Sequence, residues 1–132
     1  MTQKKKILIV DDEPDVLNYL STLFKNNGYD TATAVDGNQA MEKMKSEKPD
    51  LVSLDMSMPE KSGVKFYREL KEDTVMSIVP VVIVTAITGY GDDKEAFKKF
   101  ISTRKQVPPP DGFVSKPIDT DELLAVVKKL IG

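Results

Sequence analysis

The sequence predicts an α/β fold, in which a parallel β-sheet carries helices on both of its faces. Short runs rich in β-branched residues alternate along the chain with segments whose apolar residues recur at helical spacing. Five such strand–helix pairs are typical of a parallel sheet built from right-handed crossovers. The chain has 132 residues, of which 40% are hydrophobic and 30% charged. This length and composition suit a single globular domain.

The first half of the chain contains three predicted strands and two predicted helices. Residues 7–10 are continuously apolar, as expected of a strand buried on both faces. Pro14 suits the first turn of a helix that ends at Gly28. The apolar stripe of this helix consists of Val16, Leu17, Leu20, Leu23 and Phe24. The next three elements are a weaker strand, a helix and a third strand, over residues 29–35, 38–48 and 51–54.

The second half of the chain completes the alternation with two strands and three helices. Ser62 is a candidate cap for a helix that buries Val64, Tyr67 and Leu70. Four consecutive β-branched residues at 81–84 form the clearest strand. The remaining predicted elements are a helix with the stripe Ala96, Phe97, Phe100 and Ile101, a short strand at Phe113 and Val114, and a last helix. Asp119, followed three residues later by Glu122, resembles a capping box for that last helix.

The composition excludes several classes of chemistry. The chain has no cysteine and no histidine, so disulfides, thiolate or imidazole zinc sites and Ser-His-Asp hydrolysis are ruled out. Lysine and arginine total 19 against 21 acidic residues, which gives a net charge of −2. This balance offers no basic face to neutralise phosphates, so we expect no direct binding of nucleic acid.

No segment has the pattern of a membrane span or of a targeting signal. Residues 4–6 are lysines, but the apolar run that follows them is four residues long and ends in the acidic residues 11–13. No stretch approaches the roughly 20 apolar residues of a membrane-spanning helix. We therefore expect a cytoplasmic protein without membrane insertion.

Reactive side chains follow four of the predicted strands. Asp11 and Asp12 come after the first strand, Asp55 after the third, Thr85 after the fourth and Lys116 close after the fifth. In an open parallel sheet, ligands bind at the carboxyl ends of the strands. We therefore expect these five side chains to converge at one edge of the sheet.

The charges of this set favour a divalent cation and phosphoryl transfer. Three aspartates and Lys116 leave two net negative charges, and clustered carboxylates repel one another. Mg²⁺ would cancel these charges, and it readily combines carboxylate, water and phosphate ligands. A carboxylate nucleophile, a metal, a lysine and a hydroxyl match phosphoryl transfer to an aspartate. Aspartate, with a usual pKa of about 3.9, is ionised at neutral pH and needs no histidine as base.

Four segments, in order along the chain, form a specific pattern. They are KILIVDDE (6–13), KPDLVSLDMSMP (48–59) followed by Gly63, VVIVTA (81–86) and FVSKP (113–117). In these segments the chain resembles a receiver domain of the two-component response regulators, of the stand-alone, CheY-like kind. The resemblance covers essentially the whole chain. It implies a flavodoxin-like, doubly wound sheet of five parallel strands in the order 2-1-3-4-5, and one receiver domain over residues 1–132 without an output domain.

The resemblance also implies roles for individual residues. Asp55 would be the phosphoacceptor. Asp12 and Asp55, together with the backbone carbonyl of Ser57, would hold Mg²⁺, and Asp11 would act largely through water. Lys116 would pair with the phosphoryl group. The phosphoryl donor would be a sensor histidine kinase or a histidine phosphotransfer protein, and the chain would catalyse only its own phosphorylation and dephosphorylation.

A conformational switch is implied as well. Thr85 would bond a phosphoryl oxygen, and Phe113 stands where the family's switch aromatic stands. The change would be read by a downstream protein, whose identity the sequence does not indicate, at the face of the fourth helix and fifth strand. We also expect a cis peptide bond between Lys116 and Pro117, because receivers commonly turn sharply there.

The spacing of the sequence departs from the family pattern at one place. Thr85 and Lys116 are 31 positions apart, which is longer than usual for receivers. The excess falls in residues 87–92 and 102–110. It is either a tolerated surface insertion or a modified partner surface.

Other readings of the sequence fit its motifs less well. Gly89 and Gly91 follow a strand, but Lys94 stands where a dinucleotide-binding motif needs its third glycine. Ser57 stands where the magnesium-dependent aspartyl phosphatases carry a second aspartate. The main alternative is a receiver-like scaffold that binds partners without being phosphorylated, and the intact set of acidic, hydroxyl and lysine residues argues against it.

Overall fold

A computed structural model describes residues 4–55, 62–85, 111–115 and 118–132. Its five strands form one parallel sheet in the order β2-β1-β3-β4-β5. The strands are β1 (Lys6–Val10), β2 (Asp30–Ala34), β3 (Leu51–Leu54), β4 (Val81–Thr85) and β5 (Gly112–Ser115). The predicted sheet and its order are therefore confirmed.

The described helices are α1 (Pro14–Asn26), α2 (Gly37–Glu47), α3 (Ser62–Glu72) and the C-terminal helix (Thr120–Ile131). A short 3₁₀ helix, Met76–Ile78, lies between α3 and β4. The helix predicted around residues 96–101 lies outside the described residues, as do the glycine pair and the lengthened segments 87–92 and 102–110 considered above. Among the described helices, none is long and apolar enough to cross a membrane.

Two apolar clusters sandwich the sheet, because its central strands are apolar on both faces. Leu8 and Val10 of β1 pack with α2 and α3 through Met44, Phe66 and Leu70. The alternate β1 residues, Ile7 and Ile9, lie in the other cluster, which includes Leu17, Leu20 and Phe24 of α1 and Leu123 and Val127 of the C-terminal helix. Alternation of side chains along a strand explains this division. The layering fixes the strand ends to which the site residues are attached.

Side chains define where two of the helices begin. Asp36 caps α2, because its side chain accepts a hydrogen bond from the backbone N–H of Gln39. Asp119 accepts one from the N–H of Glu122, at 3.1 Å, so the predicted N-terminus of the last helix is confirmed. Pro14 begins α1, where its missing N–H costs nothing.

The segment between α3 and β4 is held by two aspartates. Asp73 accepts two backbone hydrogen bonds through Oδ1, from Val75 and Met76, both at 2.8 Å. Asp111, just before β5, accepts the N–H of Val81 at 2.9 Å and lies 3.6 Å from the ammonium of Lys71, whose side chain is 7% exposed. These contacts fix the amino edge of the sheet.

The C-terminal helix approaches β5 closely at Gly112. A Cβ added there would lie 2.7 Å from Cγ1 of Val126 and 3.2 Å from Cγ2 of Val82. Only glycine leaves room for this packing, so the helix rests directly on the backbone of β5.

Candidate functional site

Three aspartates stand at the carboxyl edge of the sheet because the backbone ladder extends one residue past the strands. The N–H of Asp11 donates to the carbonyl of Ala34 at 3.1 Å, and the N–H of Asp55 donates to the carbonyl of Val10 at 2.9 Å. The backbone of Asp11 is thus hydrogen-bonded to the end of β2, and the backbone of Asp55 to the end of β1. The neighbouring strands β2 and β1 therefore hold Asp11 and Asp55 in place through backbone hydrogen bonds.

The three carboxylates converge as the sequence predicts. One carboxylate oxygen from each of Asp11, Asp12 and Asp55 lies within 4.8 Å of the others. Asp11 and Asp55 are 1% and 2% exposed, whereas Asp12 is exposed. The cluster therefore has a buried floor of two carboxylates and an open rim through which a small ion or a phosphoryl group can enter.

The turn into α1 orients the carboxylate of Asp11. Its Oδ1 accepts a hydrogen bond from the backbone N–H of Glu13 at 2.9 Å. A side chain that accepts the N–H two residues later is the usual Asx-turn arrangement, and Pro14 follows it at the start of α1. Sequence reasoning singled out Glu13 only as an acid. The signal for its backbone role is an aspartate two residues before it and a helix-starting proline directly after it.

The donor set of this cluster fits a hard divalent cation. All three ligand groups are carboxylates, which are the oxygen donors that Mg²⁺ and Ca²⁺ take. Three like charges so close together repel in the absence of a counter-charge, and burial of two of them strengthens the repulsion. A divalent cation offsets both effects, so Asp11, Asp12 and Asp55 could hold a metal ion here.

Backbone register places two further predicted residues at the same edge. Leu54 pairs with Ile83 and Thr85 pairs with Ser115, so Asp55 and Thr85 both lie at the carboxyl ends of adjacent strands. Phe113 pairs with Ile83 inside β5.

Other predicted features lie outside the described residues. They are Lys116, Ser57, the Lys116–Pro117 peptide bond, and the side chains of Thr85 and Phe113. Of the predicted site, the structure brings together the three aspartates and positions the backbone of Thr85 and Phe113.

Known proteins share this sequence pattern and this fold. The sequence profile of the response regulator receiver domain family matches residues 7–128. The chain is 33% identical over 127 residues to the alkaline phosphatase synthesis transcriptional regulatory protein PhoP of Bacillus subtilis, covering 96% of this chain and 48% of PhoP. It is 33% identical over 126 residues to Protein Rrf1 of Nitratidesulfovibrio vulgaris, covering 96% of this chain and 82% of Rrf1.

A solved structure agrees with the topology. The chemotaxis response regulator CheY4 of Vibrio cholerae superposes with a TM-score of 0.79 at 23% identity, over 98% of this chain and 100% of CheY4. At that identity the likeness shows the fold. The chain spans about half the length of PhoP. The strand order, the acidic edge, and the match over residues 7–128 lead to one conclusion: the chain belongs to the response regulator receiver domain family.

Proposed function

We propose that this chain is a phosphoacceptor switch in which Asp55 receives a phosphoryl group from a sensor histidine kinase or a histidine phosphotransfer protein. The convergence of three carboxylates within 4.8 Å at the end of the central strands carries the proposal. Membership of the receiver family supports it, because receivers are signalling modules rather than enzymes that turn over a separate substrate.

The chemistry needs a positioned nucleophile and little else. A carboxylate oxygen of Asp55 forms a bond to phosphorus, and the bond from phosphorus to the donor's imidazole nitrogen breaks, its electron pair staying on that nitrogen. An aspartate carboxylate is an anion at neutral pH and attacks without a general base. Water later attacks the phosphorus, restores the carboxylate and releases inorganic phosphate. The backbone bond from Asp55 to Val10 holds the nucleophile in place throughout.

The acidic edge is the proposed magnesium site. Asp11, Asp12 and Asp55, with the backbone carbonyl of Ser57, would hold the ion. Bound Mg²⁺ supplies neutralisation of the charge that collects on the phosphoryl oxygens. Asp11 contributes a fixed carboxylate, because the N–H of Glu13 holds it, and the exposed Asp12 keeps the rim anionic.

The proposed switch passes from the phosphoryl group to the fourth-helix and fifth-strand face. Lys116 pairs with the phosphoryl group, and the hydroxyl of Thr85 moves to bond one of its oxygens. Phe113 then turns inward into the space that Thr85 leaves. The pairing of Thr85 with Ser115 and of Ile83 with Phe113 supports this route, because β4 and β5 are joined directly.

Acetyl phosphate with Mg²⁺ tests the phosphoacceptor. Intact mass spectrometry should show one added phosphoryl group on the wild-type chain and none on Asp55→Asn. Asp50→Asn is the matched control, because Asp50 lies at the opposite end of the same strand, where its carboxylate accepts the N–H of Lys6. Wild-type labelling of Asp55→Asn would contradict the assignment.

A receiver-like scaffold that acts without phosphorylation is the competing function. Beryllofluoride with Mg²⁺ separates the two, because it mimics the acyl phosphate only at a working acidic site. We expect amide NMR shifts around Asp55 and over residues 86–110, and Thr85→Ala should remove the latter. A chain that does not respond to beryllofluoride would be a scaffold. We propose that the output is a downstream protein rather than nucleic acid bound by this domain.

A further inference from the structure

An apolar groove lies at the amino edge of the sheet, between the end of α2 and the segment that joins α3 to β4. Its volume is about 540 Å³. The apolar side chains that line it are Met44, Pro49, Val75, Met76, Ile78 and Val79. Pro49 precedes β3 and Val79 precedes β4, whereas Asp55 follows β3. The groove is therefore at the opposite end of the strands from the acidic site.

Two of the lining residues are unusually exposed. Ile78 is 83% exposed and Val75 is 74% exposed, and they are the most exposed of the large hydrophobic residues in the described ranges. Both sit on a single short turn beside the groove. Large apolar side chains grouped in this way mark interaction surfaces more often than scattered ones do.

The turn that presents these side chains is firmly anchored. Asp73 accepts the N–H groups of Val75 and Met76 through Oδ1, and the carbonyl of Asp73 accepts the N–H of Ser77. The ammonium of Lys71 donates to the carbonyl of Ser77 at 3.3 Å. A preformed wall lowers the conformational entropy that binding would otherwise cost.

The rim of the groove is cationic. Lys45 and Lys48 line it and are exposed, and neither ammonium lies within salt-bridge distance of a carboxylate in the part of the chain that is described. The lining also contains one anion, Asp73, whose Oδ1 accepts two backbone N–H groups and whose carboxylate is attracted to Lys45. The groove thus carries two cations against one carboxylate, so its net charge is positive.

Lys48 occupies a backbone conformation that glycine adopts more easily. It ends α2 with φ 48° and ψ 60°, and it is the only non-glycine residue with positive φ among those described. Glycine is the usual residue at such a position. Lysine at this position places an ammonium on the rim, but its positive φ is less favourable than it would be for glycine.

We propose that this groove docks an acidic amphipathic segment of a partner protein. Apolar anchors of the segment fill the space beside Val75 and Ile78, and its carboxylates meet Lys45 and Lys48. Charge complementarity selects this occupant over a basic segment. The proposal does not rest on phosphorylation, because the groove and the acidic edge lie at opposite ends of the sheet.

The probes are three synthetic peptides of about twelve residues each. One carries leucines at helical spacing with glutamates at the other positions, the second replaces the glutamates with lysines, and the third scrambles the first. Each is titrated into the full chain while amide NMR shifts are recorded. The leucine–glutamate peptide should shift residues 44–49 and 73–79 and leave the surroundings of Asp55 unchanged.

Variants assign the contact. Ile78→Asp should weaken binding of the leucine–glutamate peptide at least about tenfold, as loss of an apolar anchor does. Lys45→Glu combined with Lys48→Glu should weaken it several-fold and reduce its salt dependence. Tyr19→Asp is the matched control, because Tyr19 is also an exposed large hydrophobic residue, at 49%, but lies on α1. It should leave the affinity unchanged.

Lys48→Gly separates binding from folding. The variant should have a higher thermal midpoint, because glycine adopts a positive φ without strain. It should nevertheless bind the leucine–glutamate peptide more weakly, because the ammonium of Lys48 is lost. Equal binding of the lysine peptide, wild-type affinity in Ile78→Asp, or no binding of any peptide would overturn the proposal. Sedimentation that shows self-association lost in Ile78→Asp would also overturn it, because a second copy would then be the occupant.

Discussion

At the scale of single residues, the acidic site divides its carboxylates by exposure. Asp11 and Asp55 are almost fully buried and are held by backbone bonds to neighbouring strands, whereas Asp12 is exposed. A buried carboxylate cannot be removed without disturbing its surroundings. Asp12 can be removed with little effect on packing, so it is the residue through which the metal site is best tested.

Asp12→Ala should weaken Mg²⁺ binding about tenfold or more, because one of few anionic ligands is lost. Isothermal titration calorimetry gives the affinity directly. Asp15→Ala is the control, since Asp15 is an exposed aspartate in the first turn of α1 and should leave the affinity unchanged. An Asp12→Ala chain that binds Mg²⁺ as the wild type does would show that Asp12 is not a ligand.

Asp73 gives a prediction about pH. The N–H groups of Met76 and then Val75 hold the pKa of its carboxyl below the usual 3.8. Its stabilising contribution is therefore complete above the usual aspartate pKa and is lost as the pH falls through the lower value in the folded state. Asp73→Ala should lower the free energy of unfolding at neutral pH, and this loss should shrink as the pH drops below about 3.8.

Urea unfolding at several pH values measures the Asp73 effect. Asp73→Asn keeps an acceptor oxygen without the charge, so its difference from Asp73→Ala should not depend on pH. A loss in Asp73→Ala that is the same at neutral and acidic pH would mean that the ionised carboxylate is not what supports the turn.

At the scale of elements, the strands followed from the sequence and some connections did not. β3 was predicted with its observed bounds, because three of its four residues are large and apolar, as expected of a strand buried on both faces. β2 was predicted too long: Tyr29 and Val35 flank the observed Asp30–Ala34, and Val35 is 39% exposed. The 3₁₀ turn at Met76–Ile78 was missed, because three residues carry no periodicity.

Single contacts also divide into those that the sequence predicts and those that it does not. The three aspartates could be placed together from sequence, because parallel strands end at one edge. The bond from Asp111 to the N–H of Val81 could not, since it joins residues 30 positions apart with no motif between them. Lys48 at positive φ was also unpredicted, because lysine gives no sign of a left-handed backbone.

Gly112 determines how the C-terminal helix meets β5, and Gly112→Ala should destabilise the fold by about 1–3 kcal/mol through overpacking. The added Cβ would meet Cγ1 of Val126 at 2.7 Å. In a Val126→Ala background the same change should cost less, because that methyl is gone. Thermal or urea unfolding of the four chains completes the cycle, and an equal cost in both backgrounds would place the clash elsewhere.

At the scale of the whole molecule, the sheet separates two ends with different character. The carboxyl edge gathers acidic groups, and the amino edge carries an apolar groove with a cationic rim. All five strands run parallel, so each strand has one end in each region. This polarity follows from the alternation of strands and helices that the sequence shows, and it explains why chemistry could be predicted at one edge only.

The division of the interior into two clusters makes the molecule thermodynamically modular. Leu70 of α3 packs on one face of the sheet and Val127 of the C-terminal helix on the other. Leu70 and Val127 belong to clusters that have no residue in common. The effects of Leu70→Val and Val127→Ala on the free energy of unfolding should therefore add to within about 0.5 kcal/mol. Met44 and Leu70 lie in one cluster, and Met44→Ala with Leu70→Val should show an interaction energy of about 0.5 kcal/mol or more. Equilibrium unfolding of single and double variants gives both numbers, and strong coupling across the sheet would mean that the backbone transmits packing changes from face to face.

If the faces are independent, each can accumulate substitutions without regard to the other, so that the helices on one side are free to diversify while the other side is conserved.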